Sequence, residues 1–318
     1  MVLGYRLRDL ERGALERVAD GLYALRRYLL DQPLFTSTIL PAIPRPLRWT
    51  MRKAYLMPAD VIEKAVGRRA AMVPPRSQMF VGSVEDFERS GELLTTRLID
   101  LAGLTPGSSV LDVGCGIGRL AVALTRRLGP DGTYEGLDIV PPGIEWCRQN
   151  ITARHPNFRF TLAEVFNGEY NPHGRVHPSE YQLPYADATF DLVVLTSVFT
   201  HMLPGDMEHY VDEIARVLKP GGRCFATYSL LDPQSRRLME SGRSDTRFKH
   251  AMGPCAVVDE KVPELAVAYD EDYVRDVFAR RGLSTDGGIH YGTWSGRETS
   301  GRSTGLSQDI VLAVRAAA

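Results

Sequence analysis

Cysteine is scarce. The chain has four, at Cys115, Cys147, Cys224 and Cys255, with no C-x-x-C pair and no metal-ligand spacing. That argues against a disulfide-held scaffold or a cysteine metal centre and fits a reduced, cytoplasmic setting with no bound metal. No stretch approaches the roughly 20 apolar residues of a membrane helix. The start mixes arginines and acids where a secretory leader would carry an unbroken apolar run. Net charge is almost absent too, at a formal -1, so no global field favours nucleic acid. No internal repeat is present.

What is present suits one large domain or a domain with an extension: 318 residues, 44% hydrophobic and 24% charged. Residues 1–80 hold 14 Lys/Arg and 7 Asp/Glu, an excess of +7 (14 − 7), so the remainder sums to -8 (-1 − 7). Leu7, Leu10, Ala14, Val18, Leu22, Leu25 and Leu29 recur at helical spacing. This stripe predicts a helix packed on the main domain or on a second subunit, as in a homodimer. Its arginines leave peripheral membrane contact as the alternative. Pro33, Pro41, Pro44 and Pro46 predict irregular chain over 33–50. A helix follows from Met57, with Asp60 as its cap, up to Pro74 and Pro75. Phe80, Val81 and Gly82 are candidates to fold over a ligand's edge, ahead of a helix from Val84 to Leu101.

The organising stretch is Ser109–Leu120, SVLDVGCGIGRL. Val110, Leu111 and Val113 read as a buried parallel strand. Gly114, Gly116 and Gly118 make a tight turn that brings a ligand close to the backbone. Ile117, Leu120, Ala121, Leu124 and Leu128 then fall on one helix face. Strand, glycine turn and helix open a nucleotide-binding α/β unit, without separating phosphate-bearing cofactors from others. Thr133–Asp138 is the second strand. Asp138 lies 20 positions after Gly118 (138 − 118) and is placed to accept bonds from ribose hydroxyls. Phe158–Leu162 is the third strand, with Glu164 beyond it as a candidate for an adenine amine. Phe190–Thr196 is the fourth, nearly all apolar and hence central. A helix over Asp206–Leu218 ends at LKPGGR, before a fifth strand at Cys224–Leu230. Residues 166–186 and 232–265 read as insertions. A helix at Asp270–Arg281, a strand at Gly282–Tyr291, a glycine-rich loop over 292–306 and a strand at Gln308–Arg315 close the chain.

Taken together, VLDVGCGIGR, GLDIV, FDLVVLTSVFTHM and RVLKPGGRCF, in this order and spacing, resemble the class I S-adenosylmethionine-dependent methyltransferases. The resemblance is strong over residues 78–230 and holds by pattern over 270–315. It implies an α/β fold: a Rossmann-like, seven-stranded, mostly parallel sheet with an antiparallel last strand; the residues ahead of it, outside the family core, read from their own pattern as a helical N-terminal extension. The expected division is a basic extension over 1–77 and a methyltransferase domain over 78–318. The implied cofactor is S-adenosylmethionine, leaving as S-adenosylhomocysteine. Asp112 and the Gly114–Gly118 backbone, with Cys115 and Arg119, would face its methionine part. Asp138 would bind the ribose, and Ile139 and Val165 would flank the adenine. Glu164 stands where the family usually has Asp. Thr196 and Ser197 would line the methyl side.

Methyl transfer from a sulfonium is an in-line displacement, so alignment is the enzyme's main task. A hydroxyl acceptor also needs a base. His201, just past the fourth strand, is the candidate, since histidine exchanges protons near neutral pH. His173, Tyr181, Trp294 and Arg297 are candidate contacts for a small polar acceptor, a sugar hydroxyl first. Lipid or quinone acceptors, and a non-catalytic cofactor-binding scaffold, are the alternatives. The fourth strand lacks the [ND]-P-P-[YF] turn of base-modifying enzymes, so nucleic acid is not an expected partner.

Overall fold

The computed structural model describes residues 45–67, 69–79, 84–168, 170–298 and 305–317, with isolated positions and short runs between 14 and 43. The chain divides into two compact units, Met1–Glu88 and Arg89–Ala318.

In the first unit, helix α1 spans Arg45–Ala65. It starts earlier than the prolines predict, because Pro46 lies in its first turn, where a missing N–H breaks no helical bond. It also continues through Pro58; Leu56, Ala59 and Glu63 share one buried stripe. Asp60 is not a helix cap. Its carboxylate accepts the N–H groups of Arg76 at 2.8 Å and Ser77 at 2.9 Å, and so secures the short turn over Arg76–Gln78. Phe80, Val81 and Gly82 lie outside the described residues, as do Leu7, Leu10, Leu25 and Leu29 of the amphipathic start; positions 20–24 are helical.

Helix α2, Val84–Ala102, leads into strand β1, Ser109–Val113. Then come α3 (Arg119–Leu124), β2 (Thr133–Asp138), α4 (Pro141–Cys147), β3 (Phe158–Leu162), β4 (Phe190–Leu195), α5 (Pro204–Val217) and β5 (Leu218–Tyr228). These strands pair in parallel, in the order β3-β2-β1-β4-β5. Four of five β1 residues and all but one of β4 are buried, as strands covered on both faces require. The fifth strand begins at Leu218, ahead of the predicted Cys224. The helix does end at LKPGGR, at Val217, but Phe190 pairs Leu218 and Leu192 pairs Arg223, so Lys219–Gly222 bulge out of a ladder that has already begun.

The segment predicted as an insertion, 232–265, builds a second sheet together with the residues that flank it. Its strands are β6 (Leu230–Leu231), β7 (His250–Met252), β8 (Cys255–Val257) and β9 (Val267–Asp270), in the order β6-β9-β8-β7, with helix α6 (Pro233–Glu240) between the first two. Helix α7 (Glu271–Ala279) returns the chain to the main sheet. There the expected single strand over 282–291 splits into β10 (Leu283–Ser284) and β11 (Ile289–His290) around a turn closed by Gly288 N–H on the Thr285 carbonyl at 3.0 Å. Strand β12, Asp309–Arg315, pairs antiparallel with β5, β10 and β11. The path β10-β12-β5-β4-β1-β2-β3 is the seven-stranded Rossmann-like sheet that the resemblance implies, with β11 as an additional short strand.

Candidate active site

Strand order places the site. From β1 the chain moves outward to β2 and β3, then returns to β4 on the other side of β1. Ligands of open α/β sheets bind at such a reversal, beyond the carboxyl ends of the strands. The turns leaving β1 and β4 meet there: a Cβ on Gly114 would run into the Val198 side chain.

The glycines have separate reasons. Gly114, Gly116 and Gly118 all take φ between 58° and 80°, a region that strains other residues. A Cβ on Gly118 would press on Ile151 at 2.7 Å and the Cys147 sulfur at 2.9 Å, so this glycine serves helix packing. A Cβ on Gly116 would meet nothing within 4 Å among the described residues. That position alone of the three leaves room above the backbone. Gly114 N–H and Cys115 N–H both donate to the Leu137 carbonyl, which ties the turn to the end of β2. Cys115 itself is buried, and burial pushes its thiol well up.

Asp138 ends β2 beside this turn. One carboxylate oxygen accepts Gly116 N–H at 2.7 Å and the other accepts Val140 N–H at 2.8 Å. Burial raises its pKa, and these backbone donors pull it back. Each oxygen retains acceptor capacity for a further donor. Asp112, at 1% exposure, accepts the Tyr134 hydroxyl on Oδ2 at 2.6 Å, while its buried Oδ1 has no hydrogen-bond partner among the described residues. Burial pushes its carboxyl up to about 7, against the Tyr134 bond and the Arg119 charge. Arg119, half-buried at the start of α3, is lowered by burial and held up by Asp112.

On the β4 side, Thr196 and Ser197 are half-buried. Ser197 takes φ +61°, a conformation that costs a non-glycine residue about 1–3 kcal/mol. His201 ends a short turn over Phe199–His201. Its Nδ1 lies 2.9 Å from the Glu264 carbonyl, and Tyr170 meets the ring edge-on at 5.6 Å between centroids.

The remaining predicted residues divide. Ile139 is half-buried against the core and Val165 is buried. Glu164 is exposed and pairs with Arg175 at 3.4 Å. His173 is exposed; Tyr181 is half-buried, and burial raises its hydroxyl's pKa. Trp294 does not open onto a cleft. It is 3% exposed, donates Nε1–H to Asp309 at 2.7 Å and meets Phe248 edge-on. Arg297 is spent in the fold as well, on Asp232, on Gln234 at 2.7 Å and on the face of Tyr291 at 3.9 Å. Four residues escaped the sequence reading: Tyr170, Thr227, Glu264 and Gln308. Gln308 had a topological signal, because an antiparallel β12 puts Asp309 opposite Tyr228 and so sets Gln308 near the β4 exit.

Residues 111–226 match the profile of a family described as a methyltransferase domain. Methyltransferase GfsG of Streptomyces halstedii is 32% identical over 143 residues, 44% of this chain and 45% of that protein. A probable phthiotriol/phenolphthiotriol dimycocerosates methyltransferase of Mycobacterium ulcerans is 37% identical over 118 residues, 36% of this chain and 37% of that protein. The matches thus span less than half the length of these relatives. A solved protein of Pyrococcus horikoshii OT3 shares the fold, with a TM-score of 0.50 at 16% identity over 75% of this chain and 95% of that one.

Proposed function

We propose that this chain, a class I S-adenosylmethionine-dependent methyltransferase by the domain at residues 111–226, methylates a hydroxyl oxygen of a small-molecule acceptor with His201 as general base. The cradle fits the cofactor. Among the described residues, Gly116 leaves open space where a side chain would stand, Asp138 keeps acceptor capacity at the strand tip, and the buried Asp112 Oδ1 has no partner. In this reading the Gly114–Gly118 backbone and Asp112 hold the aminocarboxylate end, Asp138 the ribose, Ile139 and Val165 the adenine, and Thr196 and Ser197 border the methyl side. Bound there, the cofactor supplies an electrophilic methyl group on a sulfonium.

The observation that carries the choice of oxygen is the bond between His201 and Glu264. A carbonyl only accepts, so Nδ1 holds the ring proton and Nε2 is left as the basic nitrogen. An acceptor hydroxyl placed at Nε2 loses its proton as its oxygen attacks; a positioned base of this kind contributes roughly 10²–10⁴-fold. Because Trp294 and Arg297 are engaged in the fold, a sugar becomes one candidate among hydroxyl-bearing acceptors.

The test offers methyl-labelled cofactor with a panel of glycosides, aliphatic alcohols, hydroquinones and lipid extract. We expect label in an ether, and a loss of about 10²-fold or more in His201→Gln with cofactor affinity unchanged. Label on carbon or nitrogen, or full turnover in His201→Gln, would overturn the assignment. Cofactor uptake with no methylated product from any extract would favour the scaffold reading.

A further inference from the structure

Ser197 sits in the left-handed region at the first bend beyond β4, and such strain persists only where the surroundings impose it. The surroundings here are a closed set of hydrogen bonds centred on one side chain. Gln308, one residue ahead of β12, accepts on Oε1 from the Ser197 hydroxyl at 2.9 Å and from the Thr227 hydroxyl at 2.6 Å. The Thr227 oxygen in turn accepts Ser197 N–H at 2.8 Å. At its other end, Gln308 Nε2 donates to the Thr200 hydroxyl at 3.3 Å. One carboxamide therefore grips the 197–201 turn at both ends, next to His201, whose own N–H closes the turn on the Val198 carbonyl at 2.9 Å.

We propose that Gln308 is a positioning residue, which fixes the turn from Ser197 to His201 against the methyl side of the cofactor. The inference rests on the reading of the site given above. Its chemistry is specific. The amide oxygen takes two hydroxyl donors while the amide nitrogen donates to a third group, which an ionised carboxylate, having no donor, cannot reproduce. The three strand ends it joins (the β4 exit, the end of β5 and the start of β12) come from distant parts of the chain, so the geometry of the turn is set by the closed sheet and not locally.

The experiment uses two cofactor analogues that differ at the methyl position. S-adenosylhomocysteine has no substituent there; sinefungin carries an amine-bearing carbon in place of the methyl sulfonium. Calorimetry on the full chain compares wild type with Gln308→Leu. We expect sinefungin to weaken at least tenfold while S-adenosylhomocysteine stays within threefold. A role confined to stability would move both ligands together. Equal weakening, or no change in either, overturns the proposal. Thr200→Val and Thr227→Val repeat the comparison should Gln308→Leu fail to fold, with smaller shifts expected in the same direction. If wild type binds neither analogue, the cofactor site itself is misread and the proposal falls with it.

Discussion

At the scale of single residues, Asp112 and Asp138 illustrate two uses of a buried carboxylate. Asp112 has its carboxyl pushed up to about 7 from an ordinary 3.8, chiefly by burial. Raised in this way, it contributes stability that is fully present below pH ~3.8 and is lost as pH rises through about 7. Asp112→Asn keeps an acceptor for Tyr134 and cannot ionise. Melting curves should therefore show the variant gaining on wild type between pH 4 and pH 8, with no such trend below pH 4. Asp138 instead meets two backbone donors and borders the open position above Gly116. We expect Asp138→Ala to weaken S-adenosylhomocysteine by about 10²-fold in calorimetry, as loss of charge-assisted bonds implies. It should also lower stability by about 1–3 kcal/mol, because Gly116 and Val140 N–H lose their acceptor. The place of Asp138 at the end of β2, beside the glycine turn, was legible because strand, turn and spacing are all written locally. The partnership of Asp112 with Tyr134 was not, since it depends on how β1 and β2 register across the sheet.

At the scale of elements, strands longer than four residues with apolar runs were readable: β1, β2 and β3 fall where their sequences predict. The second sheet was not, because its strands span only two to four residues, too few for an alternating pattern to register. The Lys219–Gly222 bulge was missed for a related reason: proline and glycine signal a break, and the strand runs past it. Gly91 in α2 offers a test of packing against propensity. Alanine favours a helix interior by about 0.8–1.0 kcal/mol over glycine. Here, however, a Cβ would lie 2.5 Å from the Arg119 carbonyl oxygen and 3.3 Å from Ala123, and overpacking costs about 1–3 kcal/mol. The clash should win. Gly91→Ala is expected to lower the melting temperature by a few degrees, and a rise would show that α2 shifts freely.

At the scale of the whole molecule, a ligand that binds only the folded chain raises its stability by mass action. Cofactor at a hundredfold excess over Kd should add about 2.7 kcal/mol, or about 4 °C for a chain of this size. The shift should shrink to about 0.4 kcal/mol in Asp138→Ala, whose Kd is expected to be about 10²-fold weaker. Glycine turn and acid belong to the domain shared with the methyltransferase relatives. The carbonyl that holds His201 does not: Glu264 lies in the Pro263–Leu265 turn between β8 and β9 of the side sheet. In the function proposed above, the base His201 is thus oriented by a carbonyl outside the matched domain, while Asp138 and the glycine turn lie inside it. On that proposal, exchanging residues 230–270 for another sequence would re-aim the His201 ring and leave Asp138 and the glycine turn untouched.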